Sequence, residues 1–216
     1  MKIRVKLFAG LVVAAMTAQA ASISLSGTAP TVDNADISQL AGGTGHAADE
    51  GDVWGGRPAM GQSFTTGVNA LGYTLDAFSF KSHTSGGNAA ADDQQYTFRV
   101  GTVSGGVFTP LVTESSVVGE TFTQGDWWTM EFSSPVTLSS NTTYAIDILH
   151  DNTPSFWGWR LEGTAGSSYA DGTGYSSGTS GGTIPDDSNL ALHSFDRTFH
   201  VNLVPQPPQA TLIRFR

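Results

Sequence analysis

Residues 127–161, WWTMEFSSPVTLSSNTTYAIDILHDNTPSFWGWRL, constrain the fold more than any other stretch, because their apolar side chains recur with period two. Trp128, Met130 and Phe132 alternate with Trp127, Thr129 and Glu131. Tyr144, Ile146 and Ile148 alternate with Ala145, Asp147 and Leu149, and Trp157, Trp159 and Leu161 with Phe156, Gly158 and Arg160. Successive side chains on a strand point to opposite faces, so each segment can bury one face and wet the other. The SSP and SSNT stretches between them carry turn-initiating residues. Three successive strands of an antiparallel sheet are expected, with Glu131 and Asp147 on solvated faces.

The rest of the chain reads in the same way. Expected strands cover 22–25, 60–65, 73–81, 95–103, 107–112 with a continuation over 117–122, and a closing strand over 190–203. Asp76 interrupts the alternation that puts Phe78 and Phe80 on one face, which marks a bulge. Tyr96, Phe98 and Val100 face inward, with Thr97 and Arg99 outward. Gly105-Gly106 suits a tight hairpin. Residues 27–56 read as a long loop with one helical turn around 36–41, and 163–187 as mostly loop. The expectation is a single all-β domain, an antiparallel β-sandwich of jelly-roll type with about nine or ten strands.

The N-terminus reads as a secretory signal. Lys2, Arg4 and Lys6 precede an apolar run from Leu7 to Met16, and Ala18-Gln19-Ala20 supplies a small-x-small cleavage pattern. The run is shorter than the roughly 20 residues that span a bilayer. Three parts follow: a signal peptide over 1–20, the sandwich over 21–203, and a Pro-rich tail over 204–216. Cleavage removes three of the ten Lys and Arg and none of the 19 Asp and Glu, which leaves a net charge of −12. So acidic a chain repels phosphate backbones and anionic membrane surfaces, so nucleic acid is not an expected partner. The absence of cysteine excludes thiol catalysis and thiolate metal sites.

Short motifs add a resemblance. Gly61-Gln62-Ser63-Phe64-Thr65, then Ser134-Pro135-Val136-Thr137-Leu138 leading to Thr143-Tyr144-Ala145-Ile146, and the closing Asn189-Leu190-Ala191-Leu192-His193-Ser194-Phe195 together resemble the choice-of-anchor β-sandwich domains of bacterial surface proteins. Val204-Pro205-Gln206-Pro207 resembles the V-P-E-P opening of the PEP-CTERM sorting signal of Gram-negative bacteria that make extracellular polysaccharide. Gln206 stands where that signal has Glu, and only PQATLIRFR follows where it continues with a membrane helix and an Arg-rich end. The resemblance implies a secreted or cell-surface protein whose partner is a polysaccharide or a cell-envelope component. The tail is too short to give the mature chain a stable membrane span.

Candidate site residues fall into three groups. Trp54, Trp127, Trp157 and Trp159 could stack on sugar rings, though the same rings would fill a sandwich core. Asp33, Asp36, Asp186 and Asp187 are hard oxygen donors in loops and candidate calcium ligands, although none has EF-hand spacing. Glu131, Asp147, Asp151 and Glu162 could supply the carboxylate pair of a glycosidase, which needs two carboxyl groups facing each other across a cleft. His193 and His200, seven apart on one regular strand, would face opposite ways and share no metal. No catalytic residue is assigned. The sequence favours a non-catalytic extracellular module that binds glycan or exopolysaccharide. A polysaccharide-degrading enzyme on the same fold and a purely structural surface protein are the alternatives.

Overall fold

Alternation of this kind, repeated along the chain, resolves into strands and turns throughout the described residues. The computed structural model describes residues 19–42, 51–54, 59–84, 94–119, 123–151, 158–164, 169–177 and 187–208; residues 51–54, 158, 159 and 177 are described by backbone alone. Among them lie thirteen strands and no helix. These are β1 Ser22–Ser26, β2 Ile37–Gln39, β3 Gly51–Trp54, β4 Ala59–Thr65, β5 Tyr73–Lys81, β6 Gln95–Ser104 and β7 Val107–Val118. The remainder are β8 Trp127–Leu138, β9 Thr143–His150, β10 Gly158–Leu161, β11 Gly174–Ser177, β12 Leu190–Leu192 and β13 Phe199–Pro205.

The strands form a five-stranded sheet, β1-β8-β5-β13-β2, a six-stranded sheet, β12-β11-β4-β9-β6-β7, and a two-stranded ribbon of β10 and β3. Eight of them make the jelly roll. Strands β2, β13, β5 and β8 lie side by side in one sheet and β4, β9, β6 and β7 in the other. The chain therefore changes sheet at each step through these eight, except across the β6–β7 hairpin. Strand β1 extends one sheet beyond β8, and β11 and β12 extend the other beyond β4.

Between the sheets sits an aromatic core. Phe78 and Phe132 from the five-stranded sheet close on Phe98 from the six-stranded sheet, with ring centroids 5.9 and 5.4 Å away, and Trp128 meets Tyr96 at 5.3 Å. Such edge-on pairs contribute about 0.5–1.5 kcal/mol each beyond the area they bury. Trp128, Met130, Phe98, Ile146 and Ile148 are fully buried here. The bulge at Asp76 is present: the register of β5 against β8 shifts between Leu75 and Ala77. Asp76 points to solvent, and the extra residue lets both Leu75 and Phe78 face inward although they are three apart.

Several sequence expectations change. Strands β8 and β9 are not neighbours but lie in opposite sheets. Their connecting turn, with Asn141 at φ 48°, carries the chain across the sandwich, and side-chain alternation is the same for an arch as for a hairpin. β10 pairs with β3 and with no strand of the main sheets. Residues 37–39 form β2 against β13 instead of a helical turn, because the backbone groups of a three-residue segment are satisfied there by an existing sheet. The expected closing strand is broken in two, with β12 in one sheet and β13 in the other, so His193 and His200 do not share a strand. The break is fixed by Asp196 and Arg197, both fully buried. Gln62 holds them, its Nε2 donating to Asp196 Oδ1 at 3.1 Å and its Oε1 accepting from the Arg197 N–H at 2.8 Å. The strand total exceeds the expected nine or ten because the closing strand splits into β12 and β13, and because the short strands β2, β3 and β11 lie in segments with little periodicity of their own.

Candidate functional site

Polar side chains meet in several places outside the main core, among them the outer face of the six-stranded sheet and the end of the sandwich that carries the β3–β10 ribbon.

On the outer face, Asp147 of β9 lies opposite Arg99 of β6 and opposite Gly61 of β4, and Tyr175 of β11 lies opposite Gly61 on its other side. A β-carbon at Gly61 would meet the Tyr175 ring at 2.6 Å, so glycine is what allows that ring to lie across the sheet. Gly101 does the same for Phe108, whose ring a β-carbon there would meet at 2.7 Å. Between the two rings Arg99 grips Asp147 with both arms, Nε to Oδ1 at 2.9 Å and Nη2 to Oδ2 at 2.6 Å. The Tyr175 hydroxyl donates to Asp147 Oδ2 at 3.1 Å, and Arg99 Nη1 donates to both oxygens of Asp187 at 3.1 and 3.0 Å. The guanidinium also lies 4.6 Å over the Phe108 ring.

This face is closed. The Phe108 N–H donates to the Asp187 carbonyl at 2.8 Å and the Leu190 N–H to that of Gly106 at 2.9 Å, which ties residues 187–190 across the β6–β7 hairpin tip. Phe108, Ala145, Tyr175 and Leu190 form a second small core beneath. Asp147 is therefore fully buried, not solvated as expected, and Arg99 is only 5% exposed. Burial pushes the Asp147 carboxyl above its ordinary value, while Arg99 and Tyr175 pull it back. Burial lowers Arg99, but the charges of Asp147 and Asp187 more than reverse this and leave it above its usual value. The first shift favours a neutral carboxyl and the second an ion pair. The short bidentate contact is that of a guanidinium on a carboxylate, and the pair is read as ionised. Burial, and then the charge of Asp147, hold the Tyr175 phenol well above its normal range.

At the other region the ribbon sits beside the start of β8. Trp54 is in register with Gly158, and Trp159 with Val53. The chain continuing from β10 threads between the end of β5 and the lead into β13: the Glu162 N–H donates to the Lys81 carbonyl at 2.8 Å and the Thr198 N–H to the Glu162 carbonyl at 2.9 Å. Lys81 Nζ pairs with Glu162 Oε2 at 3.1 Å, and the Thr198 hydroxyl donates to Glu162 Oε1 at 3.2 Å. The β2–β3, β3–β4, β5–β6, β7–β8 and β9–β10 connections all leave this end. The opposite end carries the short turns at 66–72 and 139–142.

The sequence candidates separate accordingly. Trp54 and Trp159 both lie on the ribbon, but on successive register pairs and so on opposite faces, whereas Trp157 lies outside the described residues. Trp127 is 3% exposed and packs under the rim opposite Lys81, so its ring is not presented to a ligand. Trp127 and Trp128 are both buried although they face opposite ways, because both faces of the sheet are covered at this point.

Asp33 and Asp36 meet in one turn, where the Asp33 N–H donates to Asp36 Oδ2 at 2.9 Å. Asp36 Oδ2 also contacts His200 Nε2 at 2.9 Å, and Oδ1 accepts from the Leu203 N–H at 2.8 Å. Asp187 is taken by Arg99, and Asp186 lies outside the described residues. Asp36 and Asp187 thus face N–H donors, the reverse of what calcium requires. Among the described residues no group of three His, Asp or Glu side chains is placed to hold a metal ion.

The four carboxylates are likewise dispersed. Asp147 and Glu162 are paired as above, Glu131 accepts from the Ser22 hydroxyl at 3.0 Å, and Asp151 accepts from the Ser116 N–H at 3.0 Å. The Arg99–Asp147–Tyr175 cluster itself had a trace in the sequence. YTFRVG and YAIDIL carry a lone charge in strands that are otherwise apolar or small on both faces, which marks strands covered on both sides.

No protein-family model matches the chain, and no curated protein matches it. Among solved structures it is similar to the cysteine protease and lectin-like domains of Cwp84, a surface layer associated protein of Clostridium difficile, with 12% sequence identity and a TM-score of 0.47. The similarity covers 82% of this chain and 37% of that one.

Proposed function

We propose that this chain is an exported, non-catalytic module of the cell surface or extracellular matrix that binds a glycan or exopolysaccharide at the ribbon end of its sandwich. The observation that carries this reading is the ribbon itself. It carries Trp54 and Trp159 on successive register pairs, one on each face of the ribbon, and its second strand runs on to Glu162 of the Lys81–Glu162 pair, at the end from which the long connections leave. Aromatic rings stack on the apolar C–H faces of sugars, and the partly exposed Lys81 ammonium offers a donor to hydroxyls. One stack contributes on the order of 1 kcal/mol, so a single site binds weakly and a multivalent polysaccharide is the natural ligand. The secretory pattern over 1–20 and the PEP-CTERM-like Val204-Pro205-Gln206-Pro207 support an extracellular setting in a Gram-negative bacterium. Val204 and Pro205 complete β13, so any sorting tail begins within the domain's own sheet.

Affinity electrophoresis across a panel of polysaccharides tests the reading. Retardation is expected with at least one polymer, weakened by Trp54→Ala and by Trp159→Ala, with no release of reducing ends. Release of reducing ends would favour the enzyme, and neither retardation nor cleavage would favour a purely structural role.

A further inference from the structure

A groove of about 470 Å³ opens between the start of β1 and the far end of β7, lined by residues 20–23 and 114–118. The predicted cleavage point between Ala20 and Ala21 lies in its wall. In the β1–β8 register Ser22 is opposite Glu131 and Ile23 opposite Met130. One step further Ala21 falls beside Phe132, between Glu131 and Ser133. Glu131 Oε2 accepts from the Ser22 hydroxyl at 3.0 Å and from the Gln19 carboxamide at 3.3 Å. On the other side Glu114 Oε1 accepts from the Ser133 N–H at 2.9 Å and its hydroxyl at 2.6 Å. Glu114 thus lines the groove together with Ala21, Glu131 bonds the residues on either side of the cleavage point, Gln19 and Ser22, and the donors the two carboxylates meet among the described residues are neutral.

We infer that the groove is a site for the chain's own new amino terminus: cleavage after Ala20 places an α-ammonium on Ala21 between Glu131 and Glu114. The inference rests on the export reading above. Hydrolysis of the Ala20–Ala21 peptide bond by a signal peptidase consumes one water, leaves a carboxylate on Ala20 and an amine on Ala21. That amine takes up a proton at neutral pH. The departing leader takes the Gln19 carboxamide with it, and the ammonium supplies a charged donor where a neutral one stood. Charge-assisted bonds are about twice as strong as neutral ones, so removal of the leader fastens the edge strand β1 more firmly than the precursor does.

The experiment uses a chain whose first residue is Ala21, released from a cleavable fusion so that its start does not depend on export. The α-amino pKa is read from the pH dependence of N-terminal acylation. It should lie above the ordinary range of about 7.7–8.0 and return to it in a Glu114→Gln/Glu131→Gln variant. A rise of half a unit lowers the free amine at neutral pH about threefold. As a second measurement, acetylating Ala21 with both glutamates intact should remove a salt-sensitive part of the stability. An ordinary pKa in the unaltered chain, or a raised one that the double variant leaves in place, overturns the inference. Mass spectrometry of the exported protein separates the two readings: a chain still beginning at Met1 breaks the signal-peptide reading, whatever the amine of the Ala21 chain does.

Discussion

Ile146 and Asp147 are neighbours on β9, point to opposite faces of the same sheet, and are both fully buried. The inner face is closed by a second sheet and filled with hydrocarbon. The outer face is closed by the hairpin tip and residues 187–190, and there hydrocarbon surrounds an ion pair. The two faces teach that alternation along a strand separates two sides without saying which of them meets water. They also bear on the proposed function, because a sealed outer face leaves the ribbon end, which carries Trp54 and Trp159, as the candidate for binding.

The largest expected effects test the symmetry of burial. Asp147→Ala strips a buried guanidinium of its partner and should cost about 3–5 kcal/mol in urea denaturation. Ile146→Ala opens a cavity on the other side and should cost about 2–5 kcal/mol. A change within about 0.5 kcal/mol at Asp147 would mean that the outer face is wet after all.

Alkaline titration probes the same face with a smaller effect. Tyr175 is pushed well above 10 by burial and then by Asp147, and burial raises Tyr169 to about 12. A raised folded-state value means that the folded chain keeps a proton the unfolded chain gives up near pH 10, so the stability contribution is fully present below that value and is lost as pH rises from there through the folded value. Stability should therefore fall as pH rises beyond about 10, and Tyr175→Phe should remove roughly 1.4 kcal/mol per pH unit of that slope. An identical slope in the variant would show that Tyr175 titrates freely.

Smaller still is Asp187→Asn. Its side chain is 30% exposed, so loss of the Arg99 contact should cost only about 1 kcal/mol. If residues 187–190 are held by Arg99, hydrogen exchange at the Phe108 and Leu190 amides should quicken while that at Ile146 does not. Uniform exchange in the variant would separate the closure from the ion pair.

The inner face was legible in the sequence because it is built from local pattern. Phe98, Met130, Tyr144 and Ile146 were assigned inward from alternation alone, and the bulge at Asp76 from a break in it. The outer face was not, because it depends on a return of the chain from residues 187–192, far from Arg99 and Asp147 in sequence. Its glycines, Gly61 and Gly101, fell inside expected strands, where nothing local says that a ring from a neighbouring strand lies over them. Pairing of β8 with β5 instead of β9 was hidden for a related reason: a turn sequence does not say whether the next strand joins the same sheet. Of the candidate site, Trp54 and Trp159 could be named but not placed on one ribbon, since β3 and β10 are four residues each and are defined by one another.

The central claim is that ligand binding belongs to the ribbon end and not to the sealed sheet face. The most direct measurement is amide hydrogen exchange with and without a polysaccharide that retards the protein in affinity electrophoresis. Added protection is expected over residues 51–54 and 158–164, with no change around Arg99, Asp147 and Tyr175. Protection centred on those three, with the ribbon unaffected, would contradict it.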